Sequence, residues 1–145
     1  GRLKFFSLQR DVTINFSQYL YIHCNNFRMV VIMTDKVGYV SLHNGGGFVV
    51  KMEFKYTSDG VNWKTSEQTD GITLGKTKKV DPGNLGVPNG STIILKAIVV
   101  AGKDNEAKQQ FIYEKGNPAT AEYTITGTTL NNTLGLIGIQ QVAVH

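Results

Sequence analysis

The feature that most limits the fold of this chain is a strict alternation of residue types between Val50 and Tyr56. Apolar side chains occupy every second position of this stretch, and charged side chains occupy the three positions between them. Successive side chains of a β-strand point to opposite faces, whereas an amphipathic helix repeats its apolar residues about every three or four positions. The alternation therefore predicts a strand with one face in a core and the other in water.

Turn-forming residues divide the rest of the chain into similar short segments. Glycine, asparagine and proline recur roughly every ten residues, which is the spacing typical of sandwiches and barrels. No stretch has the periodicity and length of an amphipathic helix, and only residues 105–110 could form a helical turn. We therefore predict an all-β domain, an antiparallel β-sandwich of short strands joined by Gly/Asn/Pro-rich turns. The predicted strands are residues 38–43, 48–56, 61–64, 76–80, 92–101, 111–113, 121–125 and 134–139.

Two of these segments have a predicted place in a sheet. Residues 92–101 are apolar on one face and nearly so on the other, which is typical of a central strand. Residues 76–80 are rich in lysine and lie between glycines and prolines, so we predict an edge strand or a loop there.

A change in composition near residue 33 indicates a domain boundary. Every arginine lies before it, every cation after it is lysine, and all glycines except Gly1 come later. We predict that residues 33–145 form the β-sandwich domain and fold alone, and that residues 1–32 form an N-terminal extension or supply extra strands. The second alternative has a physical basis, because residues 12–16 alternate between apolar and polar types as a strand does.

Composition and motif content exclude several functional classes. The net charge of +4 is spread among single lysines, which does not predict a nucleic-acid interface. The longest apolar runs fall well short of the roughly 18 residues that a membrane-spanning helix needs. The three separated histidines and the single Cys24 form no metal signature and no known nucleophile motif. We therefore expect a soluble, non-enzymatic protein with no catalytic residue, metal or cofactor. Its compartment stays open, and secretion is compatible with the sequence.

A hairpin loop within residues 56–64 holds the candidate ligand-binding residues. Asp59 and Gly60 form a turn signal, because glycine adopts positive φ without steric cost. Trp63 follows that turn with Lys64 beside it. An indole ring has an apolar face and one hydrogen-bond donor, which suits a membrane interface or stacking on a sugar ring. The candidate site comprises Trp63, Asp59, Asn62, Lys64 and Tyr56.

The same residues also have a purely structural interpretation. Trp63 can instead close one end of the core, and Tyr56 occupies an alternating position that fits a buried face. Asp59 and Asn62 are ordinary turn residues. The sequence leaves both interpretations of the loop open.

Two parts of the chain carry residue orders that recur in a known family. Residues 120–128 contain an aromatic residue, Thr, a β-branched residue, Thr and Gly in that order, and residues 40–44 are followed after a turn by 50–52. These segments resemble the late strand and the first hairpin of the aegerolysins. The resemblance covers about a third of the chain, and the family's Cys-Pro-Trp segment has no counterpart here. It implies a small β-sandwich that binds particular membrane lipids, in some members as the docking half of a two-component pore.

We therefore predict membrane-lipid binding of the cytolysin or aegerolysin type, and two alternatives stay open. A lectin would hold a sugar by hydrogen bonds and stacking from Asp59, Asn62 and Trp63. A self-assembling structural protein, a homo-oligomer, would pair its uncharged strands edge to edge. The expected partner is thus a membrane lipid, a glycan or a second copy of the chain.

Overall fold

The part of the chain described by the structure, a computed structural model, comprises residues 11–15, 19–24, 27–32 and 35–141. The chain divides into two compact units, Gly1–Asp35 and Lys36–His145. We call them the N-terminal unit and the sandwich unit. The division falls close to the boundary predicted at residue 33, and independent folding of the sandwich stays a prediction.

The N-terminal unit contains an antiparallel meander of three strands. These are β1 Asp11–Asn15, β2 Tyr19–Cys24 and β3 Phe27–Ile32, and β2 pairs with both neighbours. In the second pair Ile22 lies opposite Met29. The β-branched and aromatic residues of this segment favour the extended backbone, in agreement with the β-prone character that its sequence indicates.

Two sheets form the sandwich unit, and the chain belongs to the all-β class that we predicted. The strands are β4 Lys36–Val37, β5 Tyr39–Gly46, β6 Val50–Thr57, β7 Lys64–Thr65, β8 Thr77–Val80, β9 Thr92–Val99, β10 Asn105–Glu106, β11 Phe111–Tyr113, β12 Thr120–Gly127 and β13 Asn132–Gln140. A six-stranded sheet has the order β4-β11-β9-β6-β7, with β10 also paired to β9. A four-stranded sheet has the order β13-β12-β5-β8. A short 3-10 helix, Pro82–Leu85, follows β8.

Two strand pairs are parallel, which corrects the purely antiparallel pairing that we predicted. β12 lies parallel to β5, with Tyr123 opposite Leu42, and β11 lies parallel to β4. Between β5 and β12 the chain forms most of the other sheet and adds β8 on the far side of β5, and β12 then lies beside β5 in the same direction. Residues 105–110 form β10 and an extended connection instead of a helical turn.

The core lies between the two sheets and includes the apolar face of the predicted alternation. The charged face is not wholly in water as predicted, because Glu53 is buried and accepts a hydrogen bond from Gln68 Nε2. Val50, Met52 and Phe54 of β6 are fully buried, and Phe54 lies opposite Leu95 of the neighbouring β9. β9 has β11 on one side and β6 on the other, as its two apolar faces predicted. From the second sheet, Tyr123 of β12 is among the largest buried side chains.

The edge of β6 beyond the short β7 is covered by side chains. Ser66 Oγ accepts a hydrogen bond from the backbone amide of Phe54, and Thr69 Oγ1 accepts one from that of Met52, both at 2.9 Å. The amides of Ser66 and Thr69 donate in turn to the carbonyls of the same two residues. Two hydroxyl groups thus take the place of strand backbone along this edge.

The pairing registers sort the loops into two ends of the sandwich. Thr57 lies opposite Thr92, and Val50 lies opposite Val99, so the loop after β6 and the loop before β9 share one end. β4 and the last residue of β13 also lie at this end, which we call the entry end. The opposite end, the distal end, carries the turns at residues 47–49, 73–76, 100–104 and 128–131.

Candidate functional site

The predicted hairpin loop between β6 and β7 is organised by one carboxylate. Asp59 Oδ1 accepts hydrogen bonds from the backbone amides of Val61 at 2.8 Å and Asn62 at 2.7 Å. It also accepts one from Thr57 Oγ1 at 3.0 Å. Asp59 Oδ2 accepts a hydrogen bond from Asn62 Nδ2 at 2.7 Å. Both oxygens of Asp59 are therefore engaged in holding the loop.

These hydrogen bonds keep the pKa of the Asp59 carboxyl far below its ordinary value. The backbone amide of Asn62 has the largest effect, and the amide of Val61 follows. Hydrogen bonds to the charged form favour ionisation, so Asp59 is a carboxylate at neutral pH. Gly60 has a φ of 81°, the left-handed conformation that the Asp-Gly signal predicted.

A cavity of about 300 Å³ opens beside this loop. Four of the five predicted site residues line it, namely Tyr56, Asp59, Asn62 and Lys64. The remaining lining residues are Thr57, Ser58 and Pro88. Pro88 belongs to the loop before β9, which a hydrogen bond of 3.3 Å between Ser58 Oγ and Ser91 Oγ ties to the hairpin.

Three polar groups of the cavity make no hydrogen bond or ion pair within residues 35–141. They are the Lys64 ammonium, the side-chain carbonyl of Asn62 and the Tyr56 hydroxyl. Together they offer hydrogen-bond donors and an acceptor at one small opening, with the Tyr56 ring as an apolar surface. Both oxygens of Asp59 already accept hydrogen bonds from the loop itself. Direct contact between Asp59 and a ligand stays a prediction.

Trp63 lies away from this cavity. Lys64 pairs with Tyr56 across the hairpin, so Trp63, one residue earlier, shares the outer face of the sheet with Lys55. The Lys55 ammonium lies 5.7 Å from the centroid of the Trp63 ring and 3.2 Å from a carboxylate oxygen of Glu106. Trp63 is 39% exposed and does not belong to the buried core. Its role in ligand binding stays a prediction.

The distal end carries a second candidate surface, which the sequence analysis missed. Three aliphatic side chains are exposed there on three different turns: Leu74 at 62%, Val100 at 45% and Leu130 at 75%. We call them the apolar tips. A signal for them exists in the sequence, because each is an aliphatic residue inside or beside a turn of Gly or Asn, where no core can bury it.

The turns that carry two of the apolar tips are joined by hydrogen bonds. The backbone amide of Lys103 donates to the carbonyl of Thr129 at 2.7 Å, and Asn132 Nδ2 donates to the carbonyl of Lys103 at 2.8 Å. These bonds join the turn that carries Val100 to the turn that carries Leu130. The backbones of the two turns approach closely at this point, and a side chain at position 102 would not fit. A Cβ there would collide with the carbonyl oxygen of Thr129, so the close approach requires Gly102.

The third tip is fixed by the buried Asn44 of β5. Asn44 Nδ2 donates to the carbonyls of Phe48 at 2.6 Å and Ile72 at 2.9 Å, and Asn44 Oδ1 accepts from the amide of Gly46 at 2.9 Å. The backbone carbonyl of Asn44 accepts a hydrogen bond of 2.7 Å from the amide of Gly75, next to Leu74. One amide side chain thus joins two turns of the distal end.

Comparison with known proteins finds similarity at the level of structure alone. No family model and no curated protein matches this chain. The structure of pneumolysin is similar over 77% of this chain, with 12% identity and a TM-score of 0.40. A structure described as a trapped toxin is similar over 85%, with 16% identity and a TM-score of 0.38. A disulfide-locked mutant of intermedilysin with human CD59 is similar over 83%, with 13% identity and a TM-score of 0.38.

The chain spans only about a quarter of each of those structures, from 25% to 27% of their length.

The resemblance to aegerolysins stays a prediction. Among the residues that the structure describes, no helix is long and apolar enough to cross a membrane.

Proposed function

We propose that this chain is a non-enzymatic membrane-binding β-sandwich that contacts lipid through its distal end. The observation that carries the proposal is the exposure of Leu74, Val100 and Leu130 on three turns of the same end. Burying one leucine or valine side chain stabilises a complex by roughly 1.5–3 kcal/mol. Three such side chains together favour weak, reversible binding, similar in scale to a single lipid anchor.

The charges beside the apolar tips support the same orientation. Lys76 and Lys103 each lie within two or three residues of a tip on the distal turns. A lysine can place its stem along the acyl chains and its ammonium among the headgroups. Each lysine near an anionic surface contributes about 1 kcal/mol, so we expect vesicles with anionic lipid to bind more tightly than neutral ones.

The test compares binding of the full chain and its variants to vesicles of phosphatidylcholine, with and without phosphatidylserine, by sedimentation. We expect Leu74→Ser/Leu130→Ser to weaken binding about tenfold or more. The matched control is Val61→Ser, because Val61 is 78% exposed on the hairpin loop at the entry end. Unchanged binding of the double variant, or failure of the natural chain to bind either vesicle, would rule the proposal out.

A second candidate function is glycan binding at the hairpin cavity. The observation that favours it is that Lys64, Asn62 and Tyr56 line one opening, while the Lys64 ammonium, the Asn62 side-chain carbonyl and the Tyr56 hydroxyl make no hydrogen bond within residues 35–141. Sugar hydroxyls both donate and accept hydrogen bonds, and the Tyr56 ring adds an apolar surface.

A glycan array probed with the natural chain tests this candidate, and an empty array removes it. For any sugar that binds, we expect Tyr56→Phe and Lys64→Met each to lower affinity by about tenfold. Lys76→Met, at the distal end, is the matched control and should leave sugar binding unchanged. Equal loss in all three variants would place the sugar elsewhere.

A further inference from the structure

Strand β13 is a long, uncharged edge of the four-stranded sheet. Among the strands that the structure describes, it pairs only with β12. Its nine residues, Asn132–Gln140, include no charged residue and no proline. Edge strands of this kind offer unpaired backbone groups to another strand, and proteins usually protect them with charges, bulges or covering segments.

The other sheet edges carry such protection. At the opposite edge of the same sheet, β8 has only four residues and includes Lys78 and Lys79. In the six-stranded sheet, one edge is covered by Ser66 and Thr69, as described above. The other edge is the two-residue β4, which begins with the exposed Lys36. β13 carries a bulge, yet among the described residues it is the one edge of the sandwich unit that is both long and uncharged.

The side chains of β13 are only partly covered. Leu134, Leu136 and Ile139 pack against the core but stay half-buried, since no further strand within residues 35–141 pairs with β13 on that side, where Asn105 reaches only its first residue, Asn132. Ile137 is 60% exposed. It is the extra residue of a β-bulge, since Gly138 lies opposite Glu122 and Leu136 lies opposite the next residue of β12.

The bulge makes the order of residues in β13 self-complementary. An antiparallel pair of two β13 strands, centred between Leu136 and Ile137, places aliphatic residues opposite aliphatic residues and glycine opposite glycine. A regular strand in this register would bring inward residues opposite outward ones. The extra residue shifts the alternation by one, so Leu134 and Ile139, which both pack on the core, lie opposite each other.

We propose that β13 docks a second copy of this chain as an antiparallel strand, in the register that places Gly135 opposite Gly138 of the second copy. The uncharged, self-complementary edge favours a second copy over a charged partner strand. The protein carries a net charge of +4, and this edge is where two copies meet without opposing lysines. The pairing is isologous, so it occupies the β13 edge of both copies and stops at a dimer.

The decisive test places charges at the two glycines of β13. A Cβ at Gly135 or Gly138 meets no atom within 4 Å, and neither glycine has positive φ, so both accept side chains. In Gly135→Lys/Gly138→Lys the register puts lysine opposite lysine twice. In Gly135→Glu/Gly138→Lys it puts glutamate opposite lysine twice. Both variants share the lysine at 138, beside Glu122, so they differ only at position 135.

Sedimentation equilibrium of the full chain over a wide range of concentration gives the result. We expect the natural chain to form dimers, the Lys/Lys variant to dissociate about tenfold more readily than the Glu/Lys variant, and the latter to dimerise. Ile137→Lys, which charges the same edge, should also weaken the dimer, whereas Val61→Lys at the entry end should not. Thermal unfolding of each variant verifies that it is folded.

Three outcomes overturn the proposal. The first is a natural chain that stays monomeric at the highest concentration reached. The second is equal dimerisation of the Lys/Lys and Glu/Lys variants, because the register then does not pair positions 135 and 138. The third is a series of species larger than a dimer, because isologous pairing leaves no free β13 edge.

Discussion

Loops are held in place at both ends of the sandwich unit, but the chemistry that holds them differs. At the entry end the exposed carboxylate of Asp59 collects hydrogen bonds from its own loop, and the surface around it is polar. At the distal end the buried amide of Asn44 ties separate turns to the core, and the tips of the turns are aliphatic. An amide can be buried at lower cost than a carboxylate, because it is neutral.

The contrast indicates that the two ends are suited to different ligands. A loop held by an exposed side chain leaves its remaining polar groups in water, where a sugar or headgroup can reach them. Turns held from below by a buried group leave their tips free to carry leucine and valine. We therefore expect substitutions at the distal end to affect stability and vesicle binding together, and substitutions at the entry end to have smaller effects on stability.

The largest effect is expected from Asn44→Ala. It leaves the carbonyl of Phe48 and the amide of Gly46 without the hydrogen bonds of Asn44 at a buried position, while the carbonyl of Ile72 keeps the bond from the amide of Val50. Each unsatisfied buried group costs about 1–3 kcal/mol, and we expect a total loss of about 3 kcal/mol in the free energy of unfolding. Chemical denaturation measures it. A loss below about 1 kcal/mol would mean that Asn44 does not hold the distal end together.

Gly102→Ala should produce the next largest loss, about 2 kcal/mol, because the new Cβ would collide with the Thr129 carbonyl and push apart two turns. Vesicle binding should fall with it, although no apolar tip is changed. Gly47→Ala is the control at the same end, since a Cβ there meets no atom within 4 Å. If both alanine variants behave alike, the close approach at Gly102 has no energetic role.

Replacing each of two buried tyrosines by phenylalanine should change the free energy of unfolding in opposite directions. Tyr123 Oη is buried without a hydrogen-bond partner among the described residues, and burial raises the pKa of Tyr123. Tyr113 Oη donates to Asp81 at the entry end, and burial together with Asp81 raises the pKa of Tyr113 to about 12. We expect Tyr123→Phe to stabilise the fold by about 1 kcal/mol and Tyr113→Phe to destabilise it by about 1–2 kcal/mol. Urea unfolding of the two variants and the natural chain measures these changes. Free energies of unfolding that change in the same direction in both variants would contradict this interpretation.

The smallest effect concerns the pH dependence of the Asp59 loop. Because the folded-state pKa of Asp59 lies below its ordinary value of 3.8, its contribution to stability is present above that pH. It is lost as the pH falls from 3.8 toward the folded-state pKa. We expect Asp59→Asn to lower the midpoint of thermal unfolding slightly at pH 7 and not at all once the pH falls below the folded-state pKa of Asp59. A gap between the two proteins that is the same at every pH would exclude this role.

Much of the local structure could be predicted from the sequence. The alternation in residues 50–56 identified β6, the two-sided apolar run identified the central β9, and the lysine-rich segment identified the edge strand β8. The Asp59-Gly60 signal located a turn that the structure contains. These features depend on side chains a few residues apart, so their periodicity and turn chemistry are visible in one dimension.

The candidate surfaces were harder to predict because they combine residues that are distant in the chain. Four predicted site residues meet at one cavity because they belong to a single hairpin, but Pro88 joins them from another loop. Trp63 was predicted to bind a ligand because it follows the Asp59-Gly60 turn, and the register of the hairpin places it on the outer face of the sheet with Lys55. Leu74, Val100 and Leu130 lie in three separate turns of the sequence, and only the strand order brings these turns to one end.

The sequence by itself determined that the chain forms short strands, where most of them lie, and which of their faces are buried. The tertiary structure alone decided that β12 runs parallel to β5, that Ser66 and Thr69 cover the edge of β6, and that β13 pairs only with β12 among the described strands. The physical reason is range. Alternation and turns follow from neighbouring residues, whereas strand order depends on how the whole chain buries its apolar faces and satisfies its backbone groups.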